Sequence, residues 1–224
     1  MKSVNVNSQL NQTNLWNGCI LVSIAHAIMV SHYPELSYEH SWDGDNYSVV
    51  DDEGARGTVS FKSDYFVAAF RNEHFPRTDM LVAIDFLKGA PKEVIQLASD
   101  ETFEYLLEED EDGRVSPAIT TAFWGDKHLI ISIDNIIRIV QGGGYLLERQ
   151  LMDSDSAIQA WRDYYEMTSE QVELLKSIYD RKVSNPNGRI ILTKSEIEMI
   201  GTATPEGLRE SQISFEEIGI YLET

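Results

Sequence analysis

The chain is short of several things, and each shortage excludes a class of protein. It has one cysteine, Cys19, among 224 residues. A single thiol cannot close an intramolecular disulfide, so no covalent framework is expected and a reducing compartment suits the chain. Basic residues are scarce, with 18 Lys and Arg against 37 Asp and Glu and a formal net charge of −19. A field of that sign repels phosphate backbones and anionic lipid, so neither nucleic acid nor a membrane surface is expected as a direct partner. Long apolar runs are also missing. The most apolar stretch, Cys19 to Val30, is twelve residues interrupted by Ser23 and His26, too short to span a bilayer. The segment from Met1 to Leu15 is rich in Asn, Gln and Ser and lacks the apolar core and cleavage site of a secretory signal. A cytoplasmic location is therefore expected.

Cofactor and metal signatures are incomplete. Gly142 to Gly144 lacks the Gly-Lys-Ser/Thr ending of a phosphate loop, and no Gly-x-Gly-x-x-Gly stands there. It reads as a flexible connection. Asp43, Asp45 and Asp51, or Asp153 and Asp155, are fragments of calcium loops without the full spacing. His26, His32 and His40 lack the paired spacing of a zinc helix. Neither a metal nor another cofactor is expected.

What the chain does contain is ordinary globular material, 42% hydrophobic and 25% charged, well away from the composition of disorder. Leu15 to Tyr33 is apolar around most of a helical circumference and predicts a buried helix ended by Pro34. Period-two patterning over 47–50, 58–61 and 65–70 predicts an antiparallel meander, and 118–123 with 128–133 predicts a second hairpin. Between them, Met80 to Leu87 and Glu93 to Glu109 read as helical. Ser156 to Met167 and Ser169 to Val183 have helical spacing, with Thr168 and Ser169 offering caps between them. The turn Asn185 to Gly188 precedes a strand at Arg189 to Leu192. Thr193 with Glu196, and Ser214 with Glu217, have capping-box spacing for two final helices. The sum is an α+β fold: an antiparallel sheet packed with a buried N-terminal helix, then a mostly helical C-terminal third. Residues 1–144 form the α+β body, and 145–224 a helical region, separate or part of the same domain, with Gly142 to Gly144 as the hinge.

Three clusters could carry function. The first is an acidic run from Asp100 to Asp112, eight carboxylates in thirteen residues with no base among them. On a helix it would present an apolar side and an acidic side. Its carboxylates, Glu104, Glu108, Glu109, Glu111 and Asp112, could steer and hold a basic partner; the plainer reading is a solvated face. The second is a locally basic patch, Arg71, His74 and Arg77, with Arg56 and Lys62 possible neighbours and Pro76 in the same loop. It could take a phosphate or carboxylate through arginine forks, or simply balance neighbouring acids. The third is Cys19, placed after Asn17 and Gly18 at the expected start of the first helix, where the dipole would favour a thiolate.

Cys19 heading a buried helix, with His128 opening a later strand, resembles papain-like cysteine hydrolases. That resemblance implies Cys19 as nucleophile, His128 as general base, Asp134 or Asp153 as the orienting acid and Gln12 as oxyanion stabiliser. The plainer reading is a buried structural cysteine. At the level of overall character, compact, acidic, unexported and free of catalytic signatures, the chain resembles bacterial immunity proteins of polymorphic toxin systems. This second resemblance implies no enzyme activity. It implies a binding protein that occludes the active site of a basic toxin or effector domain, its oligomeric state open.

Overall fold

The computed structural model describes residues 11–75, 77, 79, 81–201 and 204–223. The expected helix start at Met80 and the loop proline Pro76 lie outside the described residues. The chain divides into two compact units. One holds the described residues up to Leu15 together with Asp45–Glu148, the other Trp16–Gly44 with Arg149–Thr224. The fold is α+β. The C-terminal segment from Arg149 groups with most of the first helix.

Helix α1 (Gln12–Met29) and strand β1 (His40–Asp43) come first. In the first unit, β2 (Asn46–Val50), β3 (Arg56–Phe61) and β4 (Phe66–Arg71) form the predicted meander. Next come α2 (Lys92–Asp100), the hairpin β5 (Leu107–Glu109) and β6 (Val115–Pro117), then β7 (Thr121–Gly125) and β8 (Ile130–Ile131). β7 pairs antiparallel with β4, which joins the meander and the second hairpin into one sheet.

β4 and β7 are buried along nearly their whole length because both sheet faces are covered. On one face Phe61, Phe66, Phe70 and Phe123 pack ring to ring, the closest pair with centroids 5.8 Å apart. Gly57 makes room for this layer, since a Cβ there would lie 2.3 Å from the Phe70 ring. On the other face Val67, Ala69, Ala122 and Trp124 meet Phe86, Leu97, Phe103 and Leu106. Each large apolar side chain so buried contributes about 2 kcal/mol. A short helix α3 (Ile136–Gln141), capped by Asn135, follows β8.

In the second unit, the residues of α1 from Gly18 onward are buried almost without break. A Cβ on Gly18 would lie 1.8 Å from the Gln150 carbonyl, so only glycine permits that approach. Helices α4 (Ser154–Tyr165), α5 (Ser169–Ser184), α6 (Lys194–Ile200) and α7 (Pro205–Glu217) start on side-chain caps from Asp153, Thr168, Thr193 and Thr204. The short strands β9 (Ile190–Leu192) and β10 (Ile220–Leu222) pair in parallel.

Several expected elements are corrected. α1 runs Gln12–Met29 rather than Leu15 to Tyr33, and Pro34 instead opens a 3₁₀ turn. The helix expected over Met80 to Leu87 is a 3₁₀ turn, Ala83–Leu87. The helix expected to reach Glu109 stops at Asp100. Ser214 lies inside α7, whose true start is Thr204 with Pro205 in the first turn. Gly142 to Gly144 lies within the first unit, whose later segment ends at Glu148.

Candidate functional site

The acidic run is a turn and a hairpin, for reasons written in its apolar residues. After α2, Thr102–Leu106 forms a 3₁₀ turn with Thr102, Phe103 and Leu106 buried. The Thr102 hydroxyl donates to Ser60 Oγ at 2.8 Å, fixing the turn to β3. From there β5 leaves as a strand and returns through Asp110–Gly113 to β6, with Glu108 opposite Ser116. Asp110 Oδ1 accepts the backbone N–H groups of Asp112 and Arg114, both at 2.9 Å, and Gly113 takes a left-handed φ of 77°. Glu104 on the 3₁₀ turn and Glu109, Glu111 and Asp112 on the hairpin are exposed. Glu108 is half-buried and accepts from Arg56 Nη2 and, at 3.0 Å, from Arg71 Nε. Burial raises its carboxyl pKa, but the hydrogen bonds from Arg71 and Arg56 outweigh this and hold it below the ordinary value. Glu108 is thus the tie that fastens the hairpin to β3 and β4, and its acidic neighbours project from that anchor.

The basic residues do not converge on an open anion site. Arg71 is bound to Glu108. Arg77 forks onto Asp79 at 2.7 and 2.6 Å, and its Nη1 donates to Asp134 Oδ2 at 2.8 Å and to the Thr120 carbonyl at 2.6 Å. Arg138 adds a bond to Asp79 at 3.2 Å. Hydrogen bonds from Arg77 hold the Asp79 carboxyl well below its ordinary range. Lys62 meets Glu101 at 2.9 Å. His74 is exposed in the turn after β4. An incoming anion would have to displace carboxylates already in place, which corrects the expected role of Arg71 and Arg77.

Each residue of the hydrolase reading has a structural environment of its own. Cys19 is fully buried about two turns inside α1, beyond the free amides of the first turn. Burial pushes its thiol pKa well up, opposite to the activation a nucleophile needs. His128 is exposed in the β7–β8 turn, ahead of the strand rather than at its start, its backbone N–H donating to Asp126 Oδ1 at 2.7 Å. Asp134 is buried and serves Arg77 and the Thr121 hydroxyl. Asp153 caps α4. Gln12 donates its amide to the Lys62 carbonyl.

The second unit holds a buried polar assembly that no local sequence pattern announces. Glu39 accepts from the hydroxyls of Tyr164 at 2.7 Å and Tyr165 at 3.0 Å, and the Tyr165 oxygen also lies 3.3 Å from His26 Nδ1. The His26 ring meets His40 edge-on at 5.3 Å, and His40 meets Trp161 at 5.5 Å. The Arg149 guanidinium sits over the Trp161 and Tyr164 rings at 4.9 and 4.6 Å. Burial lowers His26 to about 4, the Ser37 carbonyl offsetting part of the effect, and burial with nearby His26 and Arg149 lowers His40 well below its ordinary value. Both imidazoles are neutral at pH 7. The members lie up to 139 residues apart, a separation no local pattern reports; the visible signal is His26, which with Ser23 interrupts the apolar stretch from Cys19 to Val30.

Among the described residues, no group of three or more His, Cys, Asp or Glu could hold a metal ion, and no helix is long and apolar enough to cross a membrane. No family model, curated protein or solved structure matches this chain.

Proposed function

We propose that the chain is a cytoplasmic binding protein of the immunity type, which neutralises a basic toxin or effector domain by covering its active site. The observation that carries this reading is the anchored β5–β6 hairpin. Glu108 is spent on Arg56 and Arg71, while Glu109, Glu111 and Asp112 stand exposed on a two-stranded projection whose turn is held by Asp110. A preorganised acidic projection costs little ordering on binding and steers a positively charged partner. The surplus of acids over bases extends that attraction over the whole chain. Glu104 belongs to the same segment and extends the acidic surface beyond the hairpin.

The test begins with the protein recovered by tagged full-length chain from its own cells, then purified. Charge reversal at Glu109, Glu111 and Asp112 together, each to Lys, is expected to weaken its affinity at least tenfold and to flatten the salt dependence of association. Equimolar chain should also abolish the partner's activity. Unchanged affinity and salt dependence in the triple variant would sink the electrostatic mechanism.

A further inference from the structure

Arg149 stands apart from the other arginines that the fold encloses. Arg56, Arg71, Arg77, Arg149 and Arg181 are half-buried. Four of them reach a carboxylate: Arg56 and Arg71 share Glu108, Arg77 meets Asp79 and Asp134, and Arg181 meets Glu196. Arg149 meets none among the described residues, although the chain carries 37 Asp and Glu. Its guanidinium lies instead over the Trp161 and Tyr164 rings, which stand edge to face with centroids 5.5 Å apart. Ring contact balances part of the charge but offers no carboxylate or carbonyl lone pair to the five N–H donors. The backbone that carries the group is closely packed. Gln150, the next residue, is buried, and its carbonyl abuts Gly18 of α1. A fork held on such a turn costs little ordering when it binds.

A second donor in the same cluster lacks an acceptor. Trp161 is 3% exposed, and its indole Nε1 is buried with no hydrogen-bond partner among the described residues. An indole nitrogen can only donate, and buried donors are nearly always satisfied. Glu39, the carboxylate of this cluster, accepts from the Tyr164 and Tyr165 hydroxyls rather than from Arg149 or Trp161. Two features select the ligand. The planar guanidinium fork matches a planar carboxylate through paired hydrogen bonds. A net charge of −19 penalises every further negative charge, so a single guanidinium favours a singly charged acid over a doubly charged phosphate. Beside the fork, the Tyr164 ring is 44% exposed and offers an apolar surface. We infer that Arg149 and Trp161 form a binding site for a small monocarboxylate with an apolar body. The Arg149 fork takes the carboxylate, the Trp161 indole N–H is the second donor, and the Tyr164 ring lies along the apolar body. All these residues belong to the second unit, so the site does not depend on the acidic hairpin or on the binding-protein reading.

Benzoate is the probe, titrated into the full chain labelled with nitrogen-15, with benzamide and inorganic phosphate in parallel. The indole N–H signal of Trp161, assigned by its loss in Trp161→Phe, should move saturably with a Kd of about 1 mM or tighter. Calorimetry should show benzoate bound at least tenfold more weakly by Arg149→Gln and several-fold more weakly by Trp161→Phe. Arg149→Lys should recover little of the loss, because an ammonium has no fork. A Trp161 signal that does not move overturns the site, as does Arg149→Gln binding within twofold of wild type. Benzamide or phosphate bound as tightly as benzoate also overturns it. Circular dichroism checks each variant. If Arg149→Gln does not fold, Trp161→Phe decides, since it keeps a ring beneath the guanidinium and removes only the donor side: unchanged benzoate affinity there overturns the site, and weakened affinity supports it.

Discussion

Arg56, Arg71 and Arg77 show what becomes of a cation in a chain with about twice as many acids as bases: each has a carboxylate within hydrogen-bonding distance. Their clustering was legible in the sequence, but their partners Glu108 and Asp134 lie 37 and 57 residues away from Arg71 and Arg77, and no spacing rule reaches that far. Cys19 teaches the same lesson in reverse. Its neighbours Asn17 and Gly18 resemble a helix start, yet α1 begins earlier, at Gln12, so the thiol sits in the apolar wall of the helix. With the thiol pKa raised by burial, Cys19 should resist a small disulfide reagent in the native protein, reacting at least a hundredfold more slowly than in denaturant. Stopped-flow release of the coloured thiolate measures this. Native labelling as fast as that of a free thiol would return the cysteine hydrolase to contention.

At the scale of elements, the acidic segment turns on one ion-paired side chain. Glu108 lies between two guanidinium groups, so Glu108→Gln leaves Arg56 and Arg71 facing each other with no charge to balance them. Because all three side chains are partly solvated, the expected loss is modest, about 1 kcal/mol of stability. The sharper signature is local: amide exchange over 107–117 should accelerate while that of β3 and β4 holds. Equal protection of the hairpin in both proteins would show that the Glu108 contacts do not anchor it. The helices with explicit caps were legible because their signals are local. Thr168 with Gln171 and Thr193 with Glu196 form the capping boxes that start α5 and α6. Likewise, the short runs of β-branched and aromatic residues in β2, β3 and β4, separated by turn residues, marked the meander, although β3 and β4 are buried on both faces. Beyond Asp100 helical spacing continues through Phe103 and Leu106, yet both are buried by a 3₁₀ turn against β3 rather than by a helix. Tertiary contact decided that geometry. α7 instead starts at Thr204 and Pro205, and the Ser214 and Glu217 spacing falls within the same helix.

Over the whole molecule, acid is the condition that separates the two units' chemistries. In the second unit His26 is held at about 4 and His40 is lowered, both below the ordinary histidine value near 6.5. A histidine with a depressed folded pKa takes up its proton first in the unfolded chain. Stability is therefore full above about pH 6.5 and is lost as pH falls from there toward the folded value. For His26 alone the loss by pH 5 is about 2 kcal/mol, and His40 adds to it. Carboxylates held below their ordinary range, such as Glu108 and Asp79 in the first unit, act only at lower pH, below about 4.5. Relief of the chain's negative self-repulsion works in the opposite direction but also waits for carboxylates to protonate. Between pH 6.5 and 5 the buried histidine pair therefore lowers stability, while Glu217, whose carboxyl pKa is raised by burial, works in the opposite direction. Urea unfolding followed by tryptophan fluorescence should show the midpoint falling over that interval, and a folded-state NMR titration should show His26 staying neutral down to about pH 5 and His40 titrating well below its ordinary value. A flat midpoint from pH 7 to 5, or all histidines titrating near 6.5 in the folded protein, would mean that His26 and His40 are not sealed behind Tyr165 and Trp161 as the structure has them.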